Sequence, residues 1–246
     1  MVELTAPYRM ILTLSLSCVL PPKTMKQHES PLALVDVTLF TIQKGRLALL
    51  LATRKNEKEP FCGALALPGG VIHADEDEDA HDAARRVIRT KLGFDPPYLE
   101  QLYTFSGRQR DPRRWSLSVA YYSLVPEEVL DQTPVEGLEF VPADSIPDLP
   151  FDHNAIADMA IRRLRNKSTY SSLLTFLLPP AFTIPELHAV YEQVTGSATN
   201  IAAFRKKVLD EGMIEMTGQR RTGGQHRAPD LYRRRGDGLQ DLKRTI

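Results

Sequence analysis

Apolar and polar positions alternate in short runs along the first half of the chain. Leu34-Val35-Asp36-Val37-Thr38-Leu39-Phe40 reads as a strand, and Arg46-Leu47-Ala48-Leu49-Leu50-Leu51-Ala52 as its hairpin partner across a Lys44-Gly45 turn. Gly69-Gly70 breaks the pattern. A helix is then expected from about Asp79 to Leu92, stopped by Gly93, and Trp115 to Val125 alternates like a further strand. Near Phe151 the period changes. Asp152 suits an N-cap, Phe151 and Ile156 stand at the two staple positions, and Ile156, Met159, Ala160 and Leu164 mark one helical face.

The second half reads as three helices and a hairpin. Ser171 to Leu178 is a short apolar helix ended by Pro179-Pro180. Thr183-Ile184-Pro185-Glu186 has the form of a capping box and opens a helix to about Thr195. A third helix covers about Thr199 to Glu211, stopped by Gly212. Met213-Ile214-Glu215-Met216, a tip rich in Gly and Arg, and Pro229-Asp230-Leu231-Tyr232-Arg233 complete a basic hairpin. That order is the order of a winged helix-turn-helix. The expected division is an N-terminal extension over 1–30, a mixed α and β domain over 31–150, a linker helix over 151–168, a winged-helix domain over 169–236 and a tail over 237–246.

The 246 residues carry 31 Lys+Arg and 31 Asp+Glu, which excludes a uniformly basic nucleic-acid coat. The balance hides an asymmetry. From Thr169 onward there are 11 basic and 8 acidic residues, against 20 and 23 before it. An acidic front and a basic back fit two domains with different tasks. Cys18 and Cys62 make no disulfide framework and lack metal-ligand spacing, so a cytoplasmic protein is expected. No apolar run reaches the length of a membrane span. Arg9 and the apolar run Met10 to Leu20 imitate a signal peptide, but Pro21-Pro22-Lys23 makes a poor cleavage region. The extension is read as disordered or mis-annotated, with Met25 as an alternative start.

Gly69-Gly70, an acidic run, Arg86 and Gly93-Phe94 resemble a Nudix box, G-x5-E-x7-R-E-U-x-E-E-x-G-U, whose glutamates hold Mg²⁺ on one helix face. Aligned back from Gly93, Arg86 meets the motif arginine, Ile88 the buried aliphatic, and Val87, Thr90 and Lys91 the three glutamates that follow that arginine. With Ile88 at 0°, these three fall near about 260°, 200° and 300°, a shared face without one carboxylate. The Gly70-to-Gly93 distance is 23 positions, two more than the pattern has. Hydrolysis is therefore not expected. The acidic run Asp75-Glu76-Asp77-Glu78-Asp79 reads as a solvated helix N-terminus.

A box without ligands leaves a pocket. Arg54 at a strand end and Arg108, Arg110, Asp111 and Arg113 in a loop before another strand are candidate effector contacts, since guanidinium groups suit a diphosphate. On the third helix Ile201, Phe204 and Val208 form the expected buried face. Asn200, Ala203, Lys206 and Lys207 face outward, and Arg205 flanks the core near a phosphate. Arg220, Arg221, His226 and Arg227 make the wing basic, and Gly223-Gly224 lets its tip bend.

Taken together, Leu67-Pro68-Gly69-Gly70, Arg110-Asp111-Pro112-Arg113, Phe151-Asp152-His153, Phe182 to Leu187, Val190-Tyr191-Glu192 and Phe204 to Leu209 resemble the Nudix-related transcriptional regulators of NAD metabolism, the NrtR family, over about Pro31 to Arg235. The resemblance implies an α+β chain, a Nudix-like mixed α/β/α sandwich followed by a winged helix-turn-helix. It further implies a homodimeric repressor on a palindromic double-stranded operator, with ADP-ribose or a related NAD metabolite as effector, no required cofactor and no membrane. The wing departs from the family's Gly-Arg-Pro, with Gln225-His226-Arg227-Ala228-Pro229 in its place. A sugar-sensing regulator of the same architecture and an active ADP-ribose pyrophosphatase with an appended module are the alternatives.

Overall fold

The computed structural model describes residues 29–131, 136–222 and 228–246. The expected extension lies outside them up to residue 28, as do the wing-tip residues Gly223, Gly224, His226 and Arg227. Residues from Pro31 to Ile246 form one compact unit.

A mixed sheet organises the front. Its elements are β1 (Leu32–Gln43), β2 (Arg46–Thr53), β3 (Leu65–Ala66), β4 (Gly69–Val71), α1 (Ala80–Leu92), β5 (Tyr98–Gly107), β6 (Ser116–Leu124), α2 (Glu127–Asp131) and β7 (Leu138–Pro142). The hairpin between β1 and β2 turns on Lys44 (φ 49°) and Gly45 (φ 75°), two left-handed residues whose twist matches the strands. The main order is β3-β2-β1-β6-β5, with β7 beside β2 and β4 beside β1. β1 and β6 run parallel, and the other pairs are antiparallel.

Alternation along the central strands feeds two apolar layers. Val35, Val37, Leu39 and Leu50 pack with Ala84, Val87, Ile88 and Leu92 of α1. Phe40, Leu49, Leu51 and Tyr122 point to the other face, onto Ile156, Ala160 and Leu164 of α3 (His153–Ser168). The result is the expected mixed sandwich. α1 starts where its cap demands, with Asp79 accepting from the Asp82 amide, and ends at Gly93 in the left-handed conformation. Gly69-Gly70 forms β4, so it extends the sheet where a break was expected, because Asp36↔Gly69 and Val35↔Gly70 pair across the ladder.

The same core continues into the back through Leu173, Phe176, Leu187, Phe204 and Tyr232. The short apolar helix proves to be a 3-10 segment, Leu173–Leu177. Then come α4 (Ile184–Thr195), α5 (Ile201–Asp210), β8 (Ile214–Arg220) and β9 (Asp230–Arg234). Thr183 and Glu186 close the capping box of α4 as expected. The tail is tied down. Ser172 N donates to Gln240 O, Leu242 N to Tyr170 O and Ile246 N to Thr169 O. No helix among the described residues is long and apolar enough to cross a membrane.

Candidate functional site

The expected arginine loop joins β5 to β6 and forms one wall of a cleft above β1. Asp36 and Gly69 line its floor, Arg54 and Glu59 one side, Lys91 the end of α1, and Phe151 and His153 the start of α3, around about 220 Å³ of space. A second space of about 390 Å³ adjoins it and shares Arg54, Glu59, Leu67 and Lys91.

The structure separates the five expected effector residues. Arg110, expected as an effector contact, lines the cleft but is held by three side chains. Its side chain is 6% exposed, and it donates through Nε and Nη2 to Asp152, through Nη2 to Asp36 and through Nη1 to Ser116. Asp152 consequently makes no side-chain cap for α3, contrary to its expected role. Asp111 is buried and grips Arg113 by Nε and Nη2, holding that guanidinium on the cleft wall. Arg54 donates to Glu59 at 2.8 Å and to Pro60 O, and lies over the Phe151 ring at 4.9 Å. Arg108 is exposed.

Asp36 and His153 were not among the expected site residues. His153 Nε2 lies 3.4 Å from Asp36, and its Nδ1 accepts the Leu67 amide. Burial pushes the Asp36 carboxyl up, but His153, Ser118 and Arg110 together outweigh it and hold it at about 2. Gly69 is needed for this approach, because a Cβ there would collide with the Asp36 carboxylate and the Val35 carbonyl. A lone carboxylate inside an apolar strand was the available signal for Asp36.

The helix face of the Nudix pattern does not fit a divalent cation. Val87 is buried in the apolar layer, Thr90 is exposed, and Lys91 Nζ donates to Gly69 O at 2.5 Å. Desolvation in the cleft, with Arg54 nearby, pushes the Lys91 ammonium below the usual lysine value. Among the described residues no group of three or more His, Cys, Asp or Glu side chains could hold a metal ion. Nor is the acidic run wholly solvated. Asp77 is buried against Arg86, which donates to both its oxygens at 2.6 and 2.8 Å and holds its carboxyl down at about 2.

In the winged helix, α5 begins two residues later than expected. Asn200 is its N-cap, accepting from Ala202 N and Ala203 N, and so is not an outward helical position. Ile201, expected in the core, is 45% exposed at the first helical position, while Phe204 and Val208 are buried as expected. Ala203, Arg205 and Lys206 are exposed and Lys207 half-buried. Arg205 donates to the Tyr232 hydroxyl at 3.4 Å. His188 Nε2 meets Thr199 Oγ1 at 2.9 Å and Glu192 accepts the Thr199 amide, fixing the turn between α4 and α5. At the wing base Arg220 pairs with Asp230 at 2.9 Å and Arg221 with Glu186.

Comparison with known proteins agrees with both halves. The model for the NUDIX domain matches residues 33–164, which takes in most of α3, and that for the NrtR DNA-binding winged helix domain matches residues 174–234. The chain is 36% identical over 210 residues, 84% of its length and 83% of the relative's, to the ADPR responsive transcriptional repressor NtrR of Acinetobacter baylyi. It is 32% identical over 109 residues to an ADP-ribose pyrophosphatase of Methanocaldococcus jannaschii, over 44% of this chain and 62% of that one. The crystal structure of Shewanella oneidensis NrtR complexed with a 27mer DNA has a TM-score of 0.79 and 32% identity, covering 87% of this chain and 99% of that chain. With both domains in the same order and a full-length relative above 30% identity, the chain belongs to the NrtR family.

Proposed function

We propose that this chain is a DNA-binding transcriptional repressor that senses ADP-ribose, or a closely related NAD metabolite, and has lost Nudix hydrolysis. The carrying observation is the pairing of a winged helix with a Nudix cleft whose metal face presents Val87, Thr90 and Lys91. Without a carboxylate set the helix cannot organise the cation that activates water in such enzymes. The A. baylyi relative, named for the same response, supports the reading.

Operator contacts are assigned to Ala203, Arg205, Lys206 and Lys207 on α5 and to Arg220 and Arg221 of the wing. Asn200 positions the helix by capping it. His226 and Arg227 remain assigned to the wing on sequence grounds. Two copies, as a cytoplasmic homodimer, would place two reading helices on a palindrome, about one DNA turn or a multiple apart. In the cleft, Arg54 and Arg113 are assigned to the effector, with Asp111 orienting Arg113. Arg108 lies on the exposed rim of that loop, and Arg110 braces the floor.

The pyrophosphatase relative defines the competing reading. Chromatography of ADP-ribose incubated with micromolar protein and Mg²⁺ or Mn²⁺ separates the two. Unchanged ADP-ribose is expected. Turnover near about 1 s⁻¹, an ordinary enzymatic rate, would assign the chain to hydrolysis.

A further inference from the structure

Lys91 stands where the Nudix pattern calls for a carboxylate, and its ammonium rests on a backbone carbonyl, Gly69 O. Carbonyl oxygen is a ligand type that a hard divalent cation uses. The other cleft cations are already paired: Arg54 with Glu59, Arg110 with Asp36 and Asp152, and Arg113 with Asp111. The hydrogen bond of Lys91 goes to a neutral acceptor, and the Asp36 and Glu59 carboxylates of the same cleft act on it without a salt bridge. We propose that the Lys91 ammonium is a resident cation in place of the metal, so that this cleft binds the diphosphate of a nucleoside-diphosphate ligand directly, without a divalent ion. The inference rests on the effector reading above and deepens it.

Three observations carry it. Lys91 lines both spaces, which share Arg54, Glu59 and Leu67 as well, so a ligand lying across them passes its amino group. Its carbonyl seat belongs to β4, whose pairing with β1 fixes the seat against the sheet. A divalent ion brought to the same oxygen would meet Lys91 at contact distance, with the Arg54 and Arg113 guanidinium groups lining the same cleft, and like charges so close repel strongly. An ammonium needs no metal in solution and holds phosphate oxygens as a point charge with three donors.

The test is calorimetric titration of the full chain with ADP-ribose and with AMP, in millimolar Mg²⁺ and in excess EDTA, for the wild type, Lys91→Gln and Lys91→Arg. Circular dichroism verifies the fold of each variant. Wild-type affinity for ADP-ribose should be the same in both buffers. Lys91→Gln should weaken ADP-ribose about tenfold or more, as loss of a hydrogen bond to a charged group does, and AMP far less. Lys91→Arg should recover most of the difference, since it keeps the charge. Wild-type binding that disappears in EDTA, or a Lys91→Gln variant with unchanged affinity, overturns the inference while leaving ADP-ribose as effector. A wild type that binds no ADP-ribose in either buffer overturns the effector reading itself, and this one with it.

Discussion

Arg110 and Arg113 lie three positions apart in one loop and have different tasks. Arg110 holds Asp36 and Asp152 together beneath the cleft. Replacing it with Ala leaves the buried Asp36 carboxylate with His153 as a remaining partner, and losing one member of such a buried cluster typically costs about 3–5 kcal/mol. Urea unfolding of Arg110→Ala should show that loss, and unchanged stability would return Arg110 to the free ligand role. Sequence reading singled out the arginine-rich loop but not this division. Whether a guanidinium is free depends on carboxylates distant in the chain, here Asp36 and Asp152 at separations of 74 and 42 residues. Acid stability belongs to the same scale. Asp36 and Asp77 both sit at about 2, below the ordinary aspartate value of 3.8. The stability they add is complete above the unfolded value and is lost as pH falls through about 2. Asp77→Asn should therefore flatten the decline in unfolding free energy between about pH 4 and about pH 2, and an unchanged slope would remove Asp77 from that decline.

Among the elements, helix ends were the most legible. Asp79, Gly93, Thr183 and Glu186 cap where their chemistry requires, because capping is local and needs no partner far along the chain. The edge strand β5, the short strands β3, β4 and β7, and helix α2 were not legible. They are defined by pairing or packing, as when Gly69 and Gly70 become a strand because β1 is beside them. Asn200 shows how a cap can be placed on a helix's outward face, since one residue of error in a helix start moves it from cap to outward position. Asn200→Ala should cost about 1 kcal/mol of stability and weaken DNA binding to all sequences alike, whereas Asn200→Ser, another good cap, should keep most of both. Loss of discrimination at one base pair in Asn200→Ser, with stability intact, would show that the side chain reads DNA as well. Lys207→Ala tests a phosphate contact: affinity should fall across sequences and the salt slope drop by about 1.

At the scale of the whole molecule, α3 connects the two halves. Its first residue, His153, meets Asp36 in the cleft, and near its end Arg165 donates to Val194 O of α4 at 3.2 Å. The tail straps the same junction through Tyr170, Thr169 and Ser172. An effector in the cleft that displaces the start of α3 therefore acts on the element that carries the winged helix. Coupling of this kind is reciprocal in binding free energy: a ligand that weakens DNA binding is itself bound less tightly by the DNA complex. The most direct test is fluorescence anisotropy of a labelled operator duplex, selected from genomic fragments by the full chain, titrated with protein at several ADP-ribose concentrations in EDTA. The account predicts a fall in operator affinity of about 5–150-fold at saturation, the range of ordinary allosteric coupling, with ADP-ribose recovered intact. Operator affinity that stays the same at every ADP-ribose concentration would contradict it.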